Sequence, residues 1–210
     1  MIHVVHRMNR HLYKNELMEH FHLRYDIYVR DRKWMDLDRP VPLEIDQFDT
    51  LDAFYLLSLD GSRLVGGSRL IPSTRPHLLG DVFPDLALRG VPRQPDVFEW
   101  TRIFVAKAHR GGDSRALGEI LCGICEFSLE EGISAITAVA EMWWTPRLLE
   151  MGWKVEPLGL PRLIEGEPCN AFRFAMDEEV LDSTRRYFGV DAPVLLRRAP
   201  ELVAAEVARV

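Results

Sequence analysis

At 210 residues the chain suggests one generous domain, or a domain with a tail, against about 150 residues per domain. A chain of this size buries about 70% of its unfolded surface, so it needs no metal or disulfide staple. Hydrophobic content of 47% with 28% charge excludes disorder as the main state. A net charge of -6 argues against a broad basic face for nucleic acid. No apolar run approaches the roughly 18 residues of a membrane span. Residues 1–7 hold no apolar stretch long enough for a signal peptide. The three cysteines, Cys122, Cys125 and Cys169, are an odd number and suggest no oxidising compartment. The chain is therefore expected to be cytoplasmic. The pair Cys122 and Cys125 spells C-x-x-C, but it falls in an apolar helical pattern, where cysteine acts as a small hydrophobe. The histidines form no metal-binding spacing, so no metal site is expected.

Residues 11–29 predict an amphipathic helix, with Leu17, Phe21, Arg24 and Tyr28 on one face. Arginine on that stripe must find a carboxylate or snorkel to the edge. Residues 31–49 are irregular, with Pro40 and Pro42, and hold Trp34, Asp46 and Asp49. A patternless loop of this length is usually functional or disordered, and Trp34, Leu37, Ile45 and Phe48 argue against disorder. A hairpin follows over 53–59 and 63–71, turning at Asp60-Gly61. Residues 72–95 carry five prolines and predict a connection with at most short helical turns. A strand is expected over 97–105, then a glycine turn at 109–114 that opens a helix over 115–131. Residues 133–140 form an uncharged interior strand, and a short helix starts at Thr145-Pro146. Closing strands over 153–155 and 171–176 and a last helix over 177–188 complete the pattern. Residues 189–210 read as a surface C-terminal tail. This order of elements predicts a single α/β domain, a three-layer α/β/α sandwich with helices on both faces of one mixed sheet.

Residues 98–105 concentrate the chemistry. Glu99, Thr101 and Arg102 sit in a strand otherwise built for burial, and a buried carboxylate must be paired or shift its pKa. Strict alternation puts Glu99 and Arg102 on opposite faces. They share a cavity only if the strand carries a β-bulge or a strong local twist, and such an irregularity is expected near 100–105. Alternatively Glu99 and Arg102 pair with Arg69, Asp46 or Asp49 to hold the sheet to the loop. The turn Arg110-Gly111-Gly112, leading into a helix N-terminus, has the geometry of an anion site.

Taken together, Arg24, Tyr28, Trp34, Asp46, Asp49, Arg69, Glu99, Thr101 and Arg102 give a pattern that resembles the N-acyl-homoserine lactone synthases (LuxI-type autoinducer synthases), from about residue 1 to 180. Tyr28 departs from the usual phenylalanine, and Ile120 stands where the pyrophosphate signature has a small residue. The resemblance implies the GCN5-related N-acetyltransferase fold and a two-step reaction. The amine of S-adenosylmethionine attacks an acyl thioester, and its carboxylate then displaces methylthioadenosine to close a lactone. On this reading Glu99 is the base, directly or through water, with Thr101 and Arg102 beside it. Arg24 and Arg102 take the substrate carboxylate, Asp46 and Asp49 its cations, and Tyr28 and Trp34 offer ring faces. Arg69 orients the carboxylates. Backbone amides around Ile103, Phe104 and Val105 form the oxyanion site, and Arg110, Gly111 and Gly112 hold the pantetheine arm.

Residues 1–50 cover the S-adenosylmethionine site. Trp100, Met142, Trp143 and Trp144 are expected in the acyl pocket and favour a short, branched or aromatic acyl group, although the two tryptophans also suit the helix–sheet core. The donor is an acyl-coenzyme A or an acyl carrier protein thioester, and the acidic net charge favours coenzyme A. Two alternatives are another N-acyltransferase of the same fold and a non-enzymatic module binding S-adenosylmethionine or an acyl thioester.

Overall fold

The computed structural model describes residues 1–111 and 115–197. Nine strands form one mixed sheet: β1 (Ile2–Val5), β2 (Phe54–Asp60), β3 (Arg63–Pro72), β4 (Val97–Val105), β5 (Ala135–Glu141), β6 (Val155–Pro157), β7 (Arg162–Ile164), β8 (Glu167–Ala175) and β9 (Leu195–Leu196). The order is β6-β8-β5-β4-β3-β2-β1-β9, with β7 paired to β8. The pairings β4–β5 and β1–β9 are parallel and the others antiparallel.

Among the described residues the α-helices are α1 (Lys14–Arg24), α2 (Leu78–Asp81), α3 (Arg115–Glu130), α4 (Trp144–Glu150) and α5 (Glu178–Phe188). One core joins Ile120, Leu121, Ile124 and Phe127 of α3 and Val180 of α5 to the sheet. Leu17 and Phe21 of α1 pack with Tyr55 and Leu57 in a second core. The predicted three layers are thus present, and each large side chain buried this way contributes about 1.5–3 kcal/mol. Cys122 and Cys125 are buried in the first core and unpaired.

Besides the short strand β7, which the sequence reading does not include, three elements differ from expectation. Residues 2–5 form a strand whose four residues are all buried, too short for a periodic signal at a chain end. The helix of α1 does not run regularly to residue 29: from Tyr25 to Asp31 it continues as a π-helical turn, a widening that recurs at functional sites. Residues 189–197 are not a surface tail. Val190 and Val194 are buried, β9 extends the sheet edge, and Glu126 of α3 accepts the Val194 and Leu195 amides at 2.9 and 3.0 Å. A buried carboxylate needs such donors, and the backbone supplies them. The remainder of the expected tail, 198–210, lies outside the described residues.

Candidate active site

The expected irregularity of β4 lies at Arg102. Thr101 pairs with Arg69 and Phe104 with Gly67, so three steps along β4 match two along β3. The extra residue is accommodated by Arg102 at φ +57°, a left-handed conformation that costs a non-glycine residue about 1–2 kcal/mol. The bulge turns the guanidinium toward residues 44–46. It also lets β4 and β5 part: they pair only over Val97–Glu99 and Ala135–Thr137, although both strands run further. A cavity of about 650 Å³ opens in this gap, with Thr101, Arg102 and Ile103 on one side and Ala138, Ala140 and Glu141 on the other.

Three arginines and three carboxylates meet at one end of this cavity. Arg24 donates from Nε to Glu44 at 2.5 Å and from both terminal nitrogens to Asp49 at 2.8 and 2.9 Å. Arg69 donates to Thr101 Oγ1 at 3.0 Å and to Asp46 at 2.6 and 3.0 Å, with Asp49 a further 2.8 Å contact. Arg102 holds Glu44 through two bonds of 3.0 Å and Asp46 at 2.9 Å. Three positive and three negative groups sum to zero, the condition under which buried charges persist.

Burial raises carboxyl pKa values, but here the arginines outweigh it. Arg102 and Arg24 hold Glu44 down at about 2, and Arg24 with Arg69 holds Asp49 well below its ordinary value. Burial pushes Tyr28 up to about 12, only partly offset by Arg102 and Arg24. Its hydroxyl therefore stays protonated and donates to the Ile103 carbonyl at 2.7 Å. The Tyr28 ring stacks on Trp34 at 5.0 Å, and the Arg102 guanidinium lies 5.5 Å from the Tyr28 centroid.

The expected site residues divide into two groups. Tyr28, Trp34, Asp46, Thr101 and Arg102 line the cavity, as do Trp100, Ile103 and Trp144. Arg24 is fully buried and Asp49 nearly so, neither lines the cavity, and each is bonded within the charge cluster, Asp49 to the Asp46 amide and Arg24 to the Glu44 that holds Arg102. Glu99 also stands off the cavity lining. Its carboxylate is fully buried and accepts the Leu78 and Leu79 amides of α2 at 2.8 and 2.6 Å. Burial raises its pKa, against the pull of those amides and of His77. Leu78, which it fixes, does line the cavity.

Met142 packs on the first core. Trp143 is 41% exposed and stacks on Trp144 at 4.8 Å without lining the cavity. Phe104 is buried in the second core and Val105 packs on the first. Arg110 and Gly111 border a separate hollow of about 430 Å³ with Met1, Asp60 and Glu119. Gly111 there takes φ +99°, which suits glycine. Gly112 lies outside the described residues. Among the described residues no cluster of side chains could hold a metal ion.

Sequence reasoning missed Glu44, the carboxylate that links Arg24 to Arg102. A charge count could not have found it, since Glu99 already balanced Asp46 and Asp49 against the three arginines until the structure placed it on the α2 amides. It also missed Arg32, which crosses the cavity mouth to Glu141, and the wall formed by α2, whose short turns leave no periodic signature.

The mixed sheet whose central parallel strands part around a cavity, with helices on both faces, is a fold of the GCN5-related N-acetyltransferase type. It matches an N-acetyltransferase structure from Lactobacillus plantarum with a TM-score of 0.55 at 17% identity, over 84% of this chain and 99% of that one. The sequence model of the autoinducer synthases matches residues 8–183, and the chain belongs to that family. An isovaleryl-homoserine lactone synthase of Bradyrhizobium diazoefficiens is 42% identical over 195 residues, 92% of this chain and 88% of that protein. An acyl-homoserine-lactone synthase of Acinetobacter nosocomialis is 29% identical over 153 residues, 68% and 82% of the two chains. The solved structure of a coenzyme A-dependent acyl-homoserine lactone synthase, BjaI, with S-adenosylmethionine and isopentyl-coenzyme A superposes with a TM-score of 0.91 at 40% identity, covering 100% of this chain and 98% of that one.

Proposed function

We propose that this autoinducer synthase joins a short branched acyl group, delivered as a coenzyme A thioester, to S-adenosylmethionine. The chain is an acyl-homoserine-lactone synthase, and S-adenosylmethionine and an acyl thioester are its substrates. One observation carries the reading. A single cavity runs from an ionic end, with Asp46 and Arg102, to an apolar end, with Trp100, Ala138, Trp144 and Leu148, across the opening between β4 and β5. A zwitterionic amine donor and an acyl chain are held at opposite ends and meet at the bulged strand.

The substrate carboxylate faces Arg102 and the ammonium faces Asp46, whose 13% exposure makes it the accessible carboxylate of the cluster. Tyr28 and Trp34 present stacked ring faces to the sulfonium and adenine. The amine loses a proton and attacks the thioester carbonyl, and the coenzyme A thiolate leaves. The carboxylate oxygen then forms the lactone C–O bond as the C–S bond to methylthioadenosine breaks. Glu99, with its raised pKa, accepts the amine proton through water, since its carboxylate is not on the cavity surface. General-base help of this kind contributes about 10²–10⁴-fold. Amides of the distorted strand near Ile103 meet the oxyanion.

Two indoles and Leu148 close the apolar end, which suits a short acyl group. The isovaleryl relative supports the branched class, and the coenzyme A-dependent relative supports that donor over an acyl carrier protein. Among the described residues no helix is long and apolar enough to cross a membrane.

The test is one incubation with S-adenosylmethionine and a panel of acyl thioesters, followed by mass spectrometry. Isovaleryl-coenzyme A should give an acylated lactone and methylthioadenosine in equal amounts. Acylation without methylthioadenosine would overturn the proposed reaction. Turnover only with carrier-protein thioesters would overturn the donor.

A further inference from the structure

Arg32 has three partners, and they lie on both sides of the cavity. Its Nη1 donates to Glu141 Oε1 at 2.5 Å, an ion pair joining residues 109 positions apart. Its guanidinium carbon lies 5.5 Å from the Trp34 ring and 6.0 Å from the Trp143 ring. Trp34 stacks on Tyr28 and Trp143 on Trp144. The result is a continuous run, Tyr28–Trp34–Arg32–Trp143–Trp144, strapped across the mouth between the N-terminal loop and the start of α4. Its first members line the ionic end of the cavity and Trp144 lines the apolar end.

An arginine that is one-third exposed gains little from an ion pair alone, since such pairs at surfaces contribute about 0–1 kcal/mol. Here the pair is fixed by two ring faces, and Glu141 is only 11% exposed. The planar guanidinium satisfies both demands, which an ammonium does not. The residue is thus held more firmly than its exposure requires, and nothing in the acyl-transfer chemistry uses its charge.

We propose that Arg32 is the clasp of the cavity mouth and couples the two substrate ends: a ligand packed on Tyr28 and Trp34 holds Arg32 in its seat on Glu141 and Trp143, and so holds Trp144 in place for the acyl group. This rests on the function proposed above. Coupling is reciprocal, so an acyl ligand must tighten the binding of a nucleoside ligand by the same factor. A coupled arrangement favours entry of both substrates before reaction and hinders water from reaching the thioester through a half-filled cavity.

The experiment measures methylthioadenosine binding by calorimetry, alone and with a saturating unreactive alkyl-coenzyme A thioether. The ratio of the two dissociation constants is the coupling factor, expected between about 5 and 150 in the unaltered protein. Arg32→Met should bring it to within twofold of one, with methylthioadenosine still bound. Glu141→Gln, a near-isosteric change at the end of β5, reads the same quantity should Arg32→Met fail to fold, and it should lower the factor at least threefold. Arg147→Met, which removes a contact to Trp143 at 5.1 Å but none to Trp34 or Glu141, should leave the factor unchanged. Unaltered coupling in both Arg32→Met and Glu141→Gln, or no coupling in the unaltered protein, overturns the clasp. Failure of the unaltered protein to bind methylthioadenosine at all overturns the functional reading instead.

Discussion

Glu44 and Arg102 stand 58 positions apart and are joined by two hydrogen bonds of 3.0 Å, and this pair stabilises a residue held at φ +57°. The carboxylate does a second task, since its Oε2 also takes the Arg24 Nε. The bulge that opens the cavity and the helix that bounds it therefore depend on one buried acid.

Replacing that acid should be severe. Glu44→Gln leaves Arg24 and Arg102 short of a negative charge in a buried site, and breaking one partner of such a network costs about 3–5 kcal/mol. Urea unfolding should show this loss, accompanied by weaker methylthioadenosine binding. A change below about 1 kcal/mol would show that the network is dispensable to the fold.

The same cluster sets the acid limit. Glu44 falls from 4.5 to about 2 on folding, and Asp49 is also depressed. A depressed carboxyl contributes stability above its unfolded value that is lost as pH falls through its folded value. The contribution of Glu44 and Asp49 to the unfolding free energy should therefore be complete above about pH 5 and decline from about 4.5 toward 2. Glu99 has the opposite sign: its raised pKa contributes below 4.5 and is lost as pH rises. Denaturant titrations across pH check both, with Glu44→Gln flattening the acid limb and Glu99→Gln removing the loss that sets in as pH rises above 4.5.

Glu99→Gln separates catalysis from binding. The carboxylate sits away from the cavity surface, so methylthioadenosine affinity should change by less than about threefold. Turnover should fall by about 10²-fold or more, as for loss of a general base. A variant with full turnover would reduce Glu99 to an anchor of α2.

The acyl end can be widened by a single change. Trp144→Ala removes an indole from the wall, and each methylene accommodated changes discrimination by about 1–3 kcal/mol. The kcat/KM ratio of an eight-carbon to a five-carbon acyl-coenzyme A should rise at least about tenfold. An unchanged ratio would place the length limit elsewhere, at Trp100 or Leu148.

Much of this was legible in the sequence because it rests on local pattern. The nine-residue strand at 97–105 and the helix face through Leu17, Phe21, Arg24 and Tyr28 announce themselves by burial period. Even the bulge followed from asking how Glu99 and Arg102 could share a face. What stayed hidden depends on partners far along the chain. Glu44 gains meaning only beside Arg24 and Arg102, and Arg32 only opposite Glu141. Glu99 read as a residue facing the cavity because nothing local shows that α2 would turn two amides toward it. The short strands β1 and β9 lack the length to show a period; β1 is held by β2 along all four residues, and β9 by two residues of β1.

The two ends of the cavity are built on different terms. At the ionic end, six interlocked charges tie a helix, a loop and two strands together, so altering any one disturbs all four. The apolar end is walled by α2, α4 and a strand gap, pieces whose side chains can be exchanged one at a time. Within this architecture the homoserine part of the product is frozen while the tail is free to diversify, so related chains can acquire private chemical dialects without rebuilding the machine that speaks them.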